Sequence, residues 1–119
     1  MESVNYPGLE GHPLQQRVQK HYPRGAGGFL TFDLNGGFEA GKAFLNNVEL
    51  ASRLVNLGDA KTSVTHPAST THSQLTEEQL LAAGVGPGQI RVATGLEHID
   101  DLIQDFQQAL DATQKLAAA

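Results

Sequence analysis

Cysteine and tryptophan are both absent from this chain of 119 residues, and methionine occurs once. Without thiols there is no disulfide framework, no thiolate zinc site and no cysteine nucleophile. Positive charge is also scarce. Lys and Arg total 8 against 13 Asp and Glu, a formal net charge of -5, so neither a basic surface for nucleic acid nor a nucleic-acid partner is expected. No apolar run approaches the ~20 residues of a membrane span. The opening MESVNYPGLE has neither the basic start nor the apolar middle of a signal peptide, so the cytoplasm is the expected location. What the chain does have is 39% apolar residues, enough for the core of one small domain.

Along the chain, SVNY (3–6) alternates like a short strand, closed by Pro7-Gly8. Pro13 suits the first turn of a helix carrying a narrow stripe of Leu14, Val18 and Tyr22. FLTFDL (29–34) reads as a strand ended by Asn35-Gly36-Gly37. Residues 38–48 read as a helix with Phe38, Phe44, Leu45 and Val48 on one side. Residues 52–67 suggest two short extended pieces around Gly58-Asp59, and 68–74 a loop. Thr76 and Gln79 have the spacing of a capping box opening a helix that ends near Gly84. IRVAT (90–94) reads as a strand. Residues 98–116 form a long helix whose apolar face is Ile99, Leu102, Ile103, Phe106, Leu110 and Thr113, with Asp100 and Asp101 favoured at its start by the helix dipole. These elements predict a small α+β domain: a mostly antiparallel sheet of about four strands with helices on one face.

Gly36, Gly41 and Lys42 match the first seven positions of the phosphate-cradling motif G-x-x-x-x-G-K-[ST]. The eighth residue, whose hydroxyl would hold magnesium, is Ala43, and no second acidic strand end follows downstream. The expectation is a turn feeding a helix with an exposed lysine. His66 and His72 lie six apart without a third ligand nearby, too few for zinc, and no metal is expected. The hydroxyls at Ser69, Thr70, Thr71 and Ser73, beside His72, offer nucleophiles, but activation requires an adjacent oriented base. Arg91 stands out differently. Strand alternation puts Ile90, Val92 and Thr94 on one face and Arg91 with Ala93 on the other. If helices cover the first face, Arg91 projects from the second, solvated or aimed at a carboxylate, to which its planar fork is matched.

The stretch NLGDAKTSVTHPASTTHSQLTEEQLLAAGVGPGQIRVATGLEHIDDLIQDFQQAL (56–110), preceded in order by VNYPGLEGHP (4–13) and GGFLTFDLNGGFEAGKAF (27–44), resembles the Cys/Met-metabolism enzymes that use pyridoxal phosphate. It is most similar to their O-acetylhomoserine sulfhydrylase branch, and what it resembles is their C-terminal domain. The resemblance covers nearly the whole chain. It implies replacement of the γ-substituent of an amino acid, here O-acetylhomoserine with sulfide or methanethiol, to give homocysteine or methionine and acetate. It implies that the substrate's α-carboxylate is held by Arg91, that Thr71 steadies this arginine, and that Asn56 helps at the carboxylate. It also implies a homo-oligomer, a tetramer in the family.

The family's cofactor lysine follows a Ser-x-Thr-type stretch in a large N-terminal domain, and none of Lys20, Lys42, Lys61 or Lys115 has that context. Residues 1–119 are therefore expected to be one C-terminal domain. The catalytic and cofactor-binding residues would belong to the large domain, and this chain alone would be inactive and would bind no pyridoxal phosphate. Thr94 stands where the family usually has Val, on what should be the core-facing side. The alternative from another class is a free-standing α+β module that senses an amino acid or mediates assembly.

Overall fold

Period-two alternation decides how the sheet is built. A computed structural model describes residues 3–21, 27–52, 61–69 and 76–118. Its strands are β1 (Ser3–Asn5), β2 (Phe29–Asp33), β3 (Ser63–Thr65) and β4 (Gln89–Ala93), arranged β1-β2-β4-β3 with all three pairings antiparallel. Leu30 and Phe32 of β2, Val64 of β3, and Ile90 and Val92 of β4 share one face and join one hydrophobic core. Ile90, Val92 and Val64 are fully buried there. The strongest sequence signals, at 29–34 and 90–94, fall on the two central strands. Asn56 to Ala60, within the region read as two extended pieces, lie outside the described residues.

Two helices cover that face. In α2 (Gly37–Asn47), Ala40, Gly41 and Phe44 are buried. Phe44 meets Phe32 and Phe106 edge-on, with ring centroids 5.4 and 5.6 Å away, the favourable arrangement for aromatic pairs. In α4 (Ile99–Ala118), the buried stripe is Leu102, Asp105, Ala109 and Thr113, with Phe106 and Leu110 packed beside it. This face is rotated from the expected one. Ile99 and Ile103 are 62% and 57% exposed, and a carboxylate, Asp105, occupies the inner stripe.

The shorter helices depart less evenly. In α1 (Gln15–His21) no residue is buried; of the expected stripe, Val18 is half-buried and Leu14, just before the helix, is exposed. Tyr22 lies outside them. The helix α3 (Glu77–Ala82) begins with the reciprocal capping box: Thr76 N–H donates to Gln79 Oε1 at 3.0 Å and Gln79 N–H to Thr76 Oγ1 at 3.3 Å. Leu80 packs with Ala68 and Val85 in a satellite cluster.

The phosphate-loop lookalike is explained by packing. Residues 37–47 are helical, so Lys42 sits mid-helix, exposed, with its amine 5.6 Å from the Phe38 ring. Gly36 caps α2 at φ 98°, a left-handed conformation that glycine adopts without strain. Gly41 is glycine for a different reason. A Cβ there would lie 2.6 Å from His66 Cδ2. Its ring cannot easily retreat, because His66 Nε2–H donates to the Pro87 carbonyl at 2.7 Å and Nδ1 accepts from Ser69 Oγ at 2.8 Å. Alanine would gain about 1 kcal/mol of helix propensity. Overpacking costs about 1–3 kcal/mol, and displacing His66 forfeits a buried hydrogen bond worth another ~1 kcal/mol. The clash wins: Gly41→Ala should lower the stability of the folded domain by about 1–3 kcal/mol, read as a lower urea midpoint. An unchanged or higher midpoint would show that the His66 ring moves freely.

Candidate functional site: the sheet face opposite the core

The residues that alternate away from the core define the other face. Register places Thr31 opposite Arg91 across β2 and β4, and Thr65 opposite Arg91 across β4 and β3. Asn5 of β1 lies opposite Thr31. One row across the sheet thus reads Asn5, Thr31, Arg91, Thr65, with the only cation of the row held between two threonines. Arg91 is half-buried and Thr65 is buried. The next row pairs Phe29 with Ala93 and Ala93 with Ser63. The Arg91 guanidinium carbon lies 5.9 Å from the centroid of the Phe29 ring. Arg91 therefore leaves the helix-covered core, as strand alternation predicts, and stands on the opposite side.

Both ends of β4 are fixed. At its end, Thr94 N–H and Thr94 Oγ1–H both donate to the Gly28 carbonyl, at 2.7 and 2.9 Å. Thr94 is exposed and follows the strand. It is not the core-facing residue its place in the alternation suggested, because the chain leaves the ladder at Ala93. Gly95 N–H donates to Thr62 Oγ1 at 2.9 Å, and Thr62 N–H in turn donates to both carboxylate oxygens of Glu97. That amide holds Glu97 below the ordinary carboxylate value. At the start of β4, the loop carbonyl of Pro87 is held by His66. Burial pushes His66 below its ordinary 6.5, with the nearby Lys42 charge acting in the same direction against the opposing Pro87 hydrogen bond.

A second anchoring carboxylate lies on α4. Asp105 accepts from the backbone N–H groups of Glu49, Leu50 and Ala51 at 2.7, 3.0 and 2.9 Å. Burial alone would raise its pKa; the amides of Glu49, Ala51 and Leu50, with the Gln108 side chain, overturn this and hold it below the usual value. Beyond this clamp, Ser52 N–H donates to the Thr62 carbonyl and Val64 N–H to the Ser52 carbonyl, both at 2.8 Å. Neither Asp105, within α4, nor Glu97, in the bend before it, stood out in the sequence.

Of the residues singled out beforehand, Arg91 is described, while Asn56, Thr71 and His72 lie outside the described residues. His66 is fully buried with both ring nitrogens engaged, as befits a packing residue. Among the described residues no three His, Asp or Glu side chains gather as metal ligands. Among the described residues no helix is long and apolar enough to cross a membrane. Of the lysines considered in the sequence, Lys20, Lys42 and Lys61 are exposed, and Lys42 lies over Phe38 of the core-covering helix. The residues missed in the sequence are Thr31, Thr65 and Phe29, whose importance comes from cross-strand register. No one-dimensional pattern names a strand's partners.

The chain is similar to known proteins along most of its length. The family model described as Cys/Met metabolism PLP-dependent enzyme matches residues 1–111. O-acetyl-L-homoserine sulfhydrylase 1 of Thermus thermophilus is 50% identical over 107 residues, which are 90% of this chain and 25% of that protein. Homocysteine synthase of Schizosaccharomyces pombe is 50% identical over 91% of this chain and 25% of its own length. An L-methionine gamma-lyase of Fusobacterium nucleatum is 47% identical over 93% of this chain and 28% of its own length. The crystal structure of a putative O-acetylhomoserine (thiol)-lyase of Campylobacter jejuni superposes with a TM-score of 0.82 at 40% identity, covering 92% of this chain and 26% of that one. The chain thus spans about a quarter of the length of the curated relatives it matches. By the family model and by the α+β domain it shares with a solved relative, this chain belongs to the Cys/Met metabolism PLP-dependent enzymes.

Proposed function

We propose that this chain is the C-terminal domain of a pyridoxal-phosphate-dependent γ-replacement enzyme, and that its share of the work is to hold the substrate's α-carboxylate. The observation that carries this reading is the place of Arg91: on the sheet face opposite the helices, between Thr31 and Thr65. A guanidinium presents its N–H donors in a planar fork matched to a carboxylate. Mounted mid-strand, that fork inherits the rigidity of a hydrogen-bonded sheet, and rigid placement of a substrate is itself a rate contribution. Asn56 would assist at the carboxylate, and Thr71 would steady the arginine.

Pyridoxal phosphate, when bound by a larger domain, would supply the electron sink for the chemistry. Among the described residues, the exposed Lys20, Lys42 and Lys61 do not fit that group. Alone, this chain would bind no cofactor and turn over no substrate. The enzyme would work in the cytoplasm as a homo-oligomer, with a tetramer the family's usual form. Relatives that are sulfhydrylases and one named a homocysteine synthase support O-acetylhomoserine with sulfide or methanethiol as the substrates, giving homocysteine or methionine and acetate. The methionine gamma-lyases among the relatives define the competing reaction. The intact enzyme given O-acetylhomoserine and sulfide should release homocysteine and acetate in equal amounts. Breakdown of methionine without such replacement would contradict the branch and leave the carboxylate reading standing.

A further inference from the structure

Arg91 does not stand alone on its face, and its neighbour Phe29 has no place in the core. Phe29 opens β2 and pairs with Ala93, two residues along β4 from Arg91. Alternation puts both side chains on the face opposite the core as diagonal neighbours, within reach for an aromatic ring and a long side chain. The ring is 43% exposed. It therefore contributes less to burial than Phe32, 4% exposed on the same strand and facing the helices. What Phe29 does contact is the guanidinium, whose central carbon is 5.9 Å from the ring centroid. With Asn5, Pro7 and Thr31 the ring also lines a shallow concavity on this face.

We infer that Phe29 is a positioning residue for Arg91: its ring gives the guanidinium a plane to lie against, so that the N–H edge is presented to the substrate carboxylate. This inference rests on the reading of Arg91 as the carboxylate anchor. The physical basis has two parts. An aromatic face attracts a cation through its quadrupole. An arginine side chain also carries much rotamer freedom, and a contact that restricts it before binding reduces the ordering required when the ligand arrives. A half-exposed ring suits this role because it can be replaced without opening a cavity in the core.

The test uses the intact enzyme, with Phe29→Leu and Phe29→Tyr measured beside the native protein. Phe29→Leu keeps apolar bulk and loses the quadrupole. It should raise KM for the amino-acid substrate about 2- to 5-fold, leave kcat within about 2-fold, and leave the cofactor absorption spectrum and the melting temperature unchanged. Phe29→Tyr, which keeps the ring face, should restore the native KM. On an Arg91→Ala background, Phe29→Leu should add nothing further, since both changes act through one contact. An unchanged KM for Phe29→Leu, equal KM increases for the leucine and tyrosine variants, or a full additional increase on the Arg91→Ala background would each overturn the inference. These outcomes are separable from failure of the underlying reading. If Arg91→Ala itself leaves KM untouched, the carboxylate anchor is wrong. If Arg91→Ala raises KM and Phe29→Leu does not, only the role given to Phe29 is lost.

Discussion

Arg91→Ala in the intact enzyme should raise KM for the amino-acid substrate by about two orders of magnitude while leaving the cofactor spectrum as it was. Truncating one partner of a hydrogen-bonded charge pair costs about 2–5 kcal/mol, and each 1.4 kcal/mol is tenfold in affinity. The half-buried setting between Thr31 and Thr65 puts the expected loss in the lower half of that range, above the small values of open-surface ion pairs. The spectrum should hold because the arginine is assigned to the substrate and not to the cofactor. Arg91→Lys should recover little of the loss. A lysine ammonium is a point charge on a flexible stem, and it cannot reproduce a two-pronged contact with a carboxylate. Steady-state kinetics of the two variants check this. A normal KM in Arg91→Ala would remove the residue from the site, and a normal KM in Arg91→Lys would show that charge alone suffices.

Asp105→Ala should cost about 2–4 kcal/mol locally, the larger stability effect of the two anchoring carboxylates. Three backbone amides lose one charged acceptor. Hydrogen bonds to charged groups contribute about 1.5–3 kcal/mol each, but Glu49 and Leu50 are exposed and water will replace part of what they lose. Ala51 is buried and has no such substitute. Asp105→Asn should be nearly as poor, because its amide turns a donor toward N–H groups that also donate. Hydrogen exchange at residues 49–51 reads the effect directly: these amides should exchange about 10²-fold faster or more in the variant. Acid follows the same logic. The pKa of Asp105 in the folded chain lies below its ordinary 3.8. Its contribution is therefore fully present above pH 3.8 and lost as pH falls through the folded value. The stability gap between native chain and variant should close in that acid range. Unchanged exchange at 49–51 would mean the clamp seen in the structure is idle.

How much of this was readable in advance varies from residue to residue. The two central strands were legible because each alternates over a full stretch, and the Thr76–Gln79 cap because its chemistry is local. The outward direction of Arg91 followed from alternation alone. The α4 face was misread because Asp105 replaces an apolar residue in the inner stripe, while Ile99 and Ile103 are apolar on the outside. A count of hydrophobic residues cannot know that three distant amides will compensate a buried carboxylate. Gly41 looked like part of a nucleotide motif for a similar reason: its partner, His66, is distant in sequence and meets it only in the folded chain. Thr31, Thr65 and Phe29 were invisible because strand order and register are properties of the sheet.

The most direct test removes the carboxylate instead of the arginine. The native intact enzyme and its Arg91→Ala variant would each be given the amino-acid substrate and the analogue in which the α-carboxylate is a neutral carboxamide, and kcat/KM compared. If the fork of Arg91 grips that carboxylate, the native enzyme will prefer the acid by a factor of about 10² or more, and the variant will treat the two nearly alike. A variant that keeps the full preference for the acid would contradict the assignment, because the recognition would then be made by some other group.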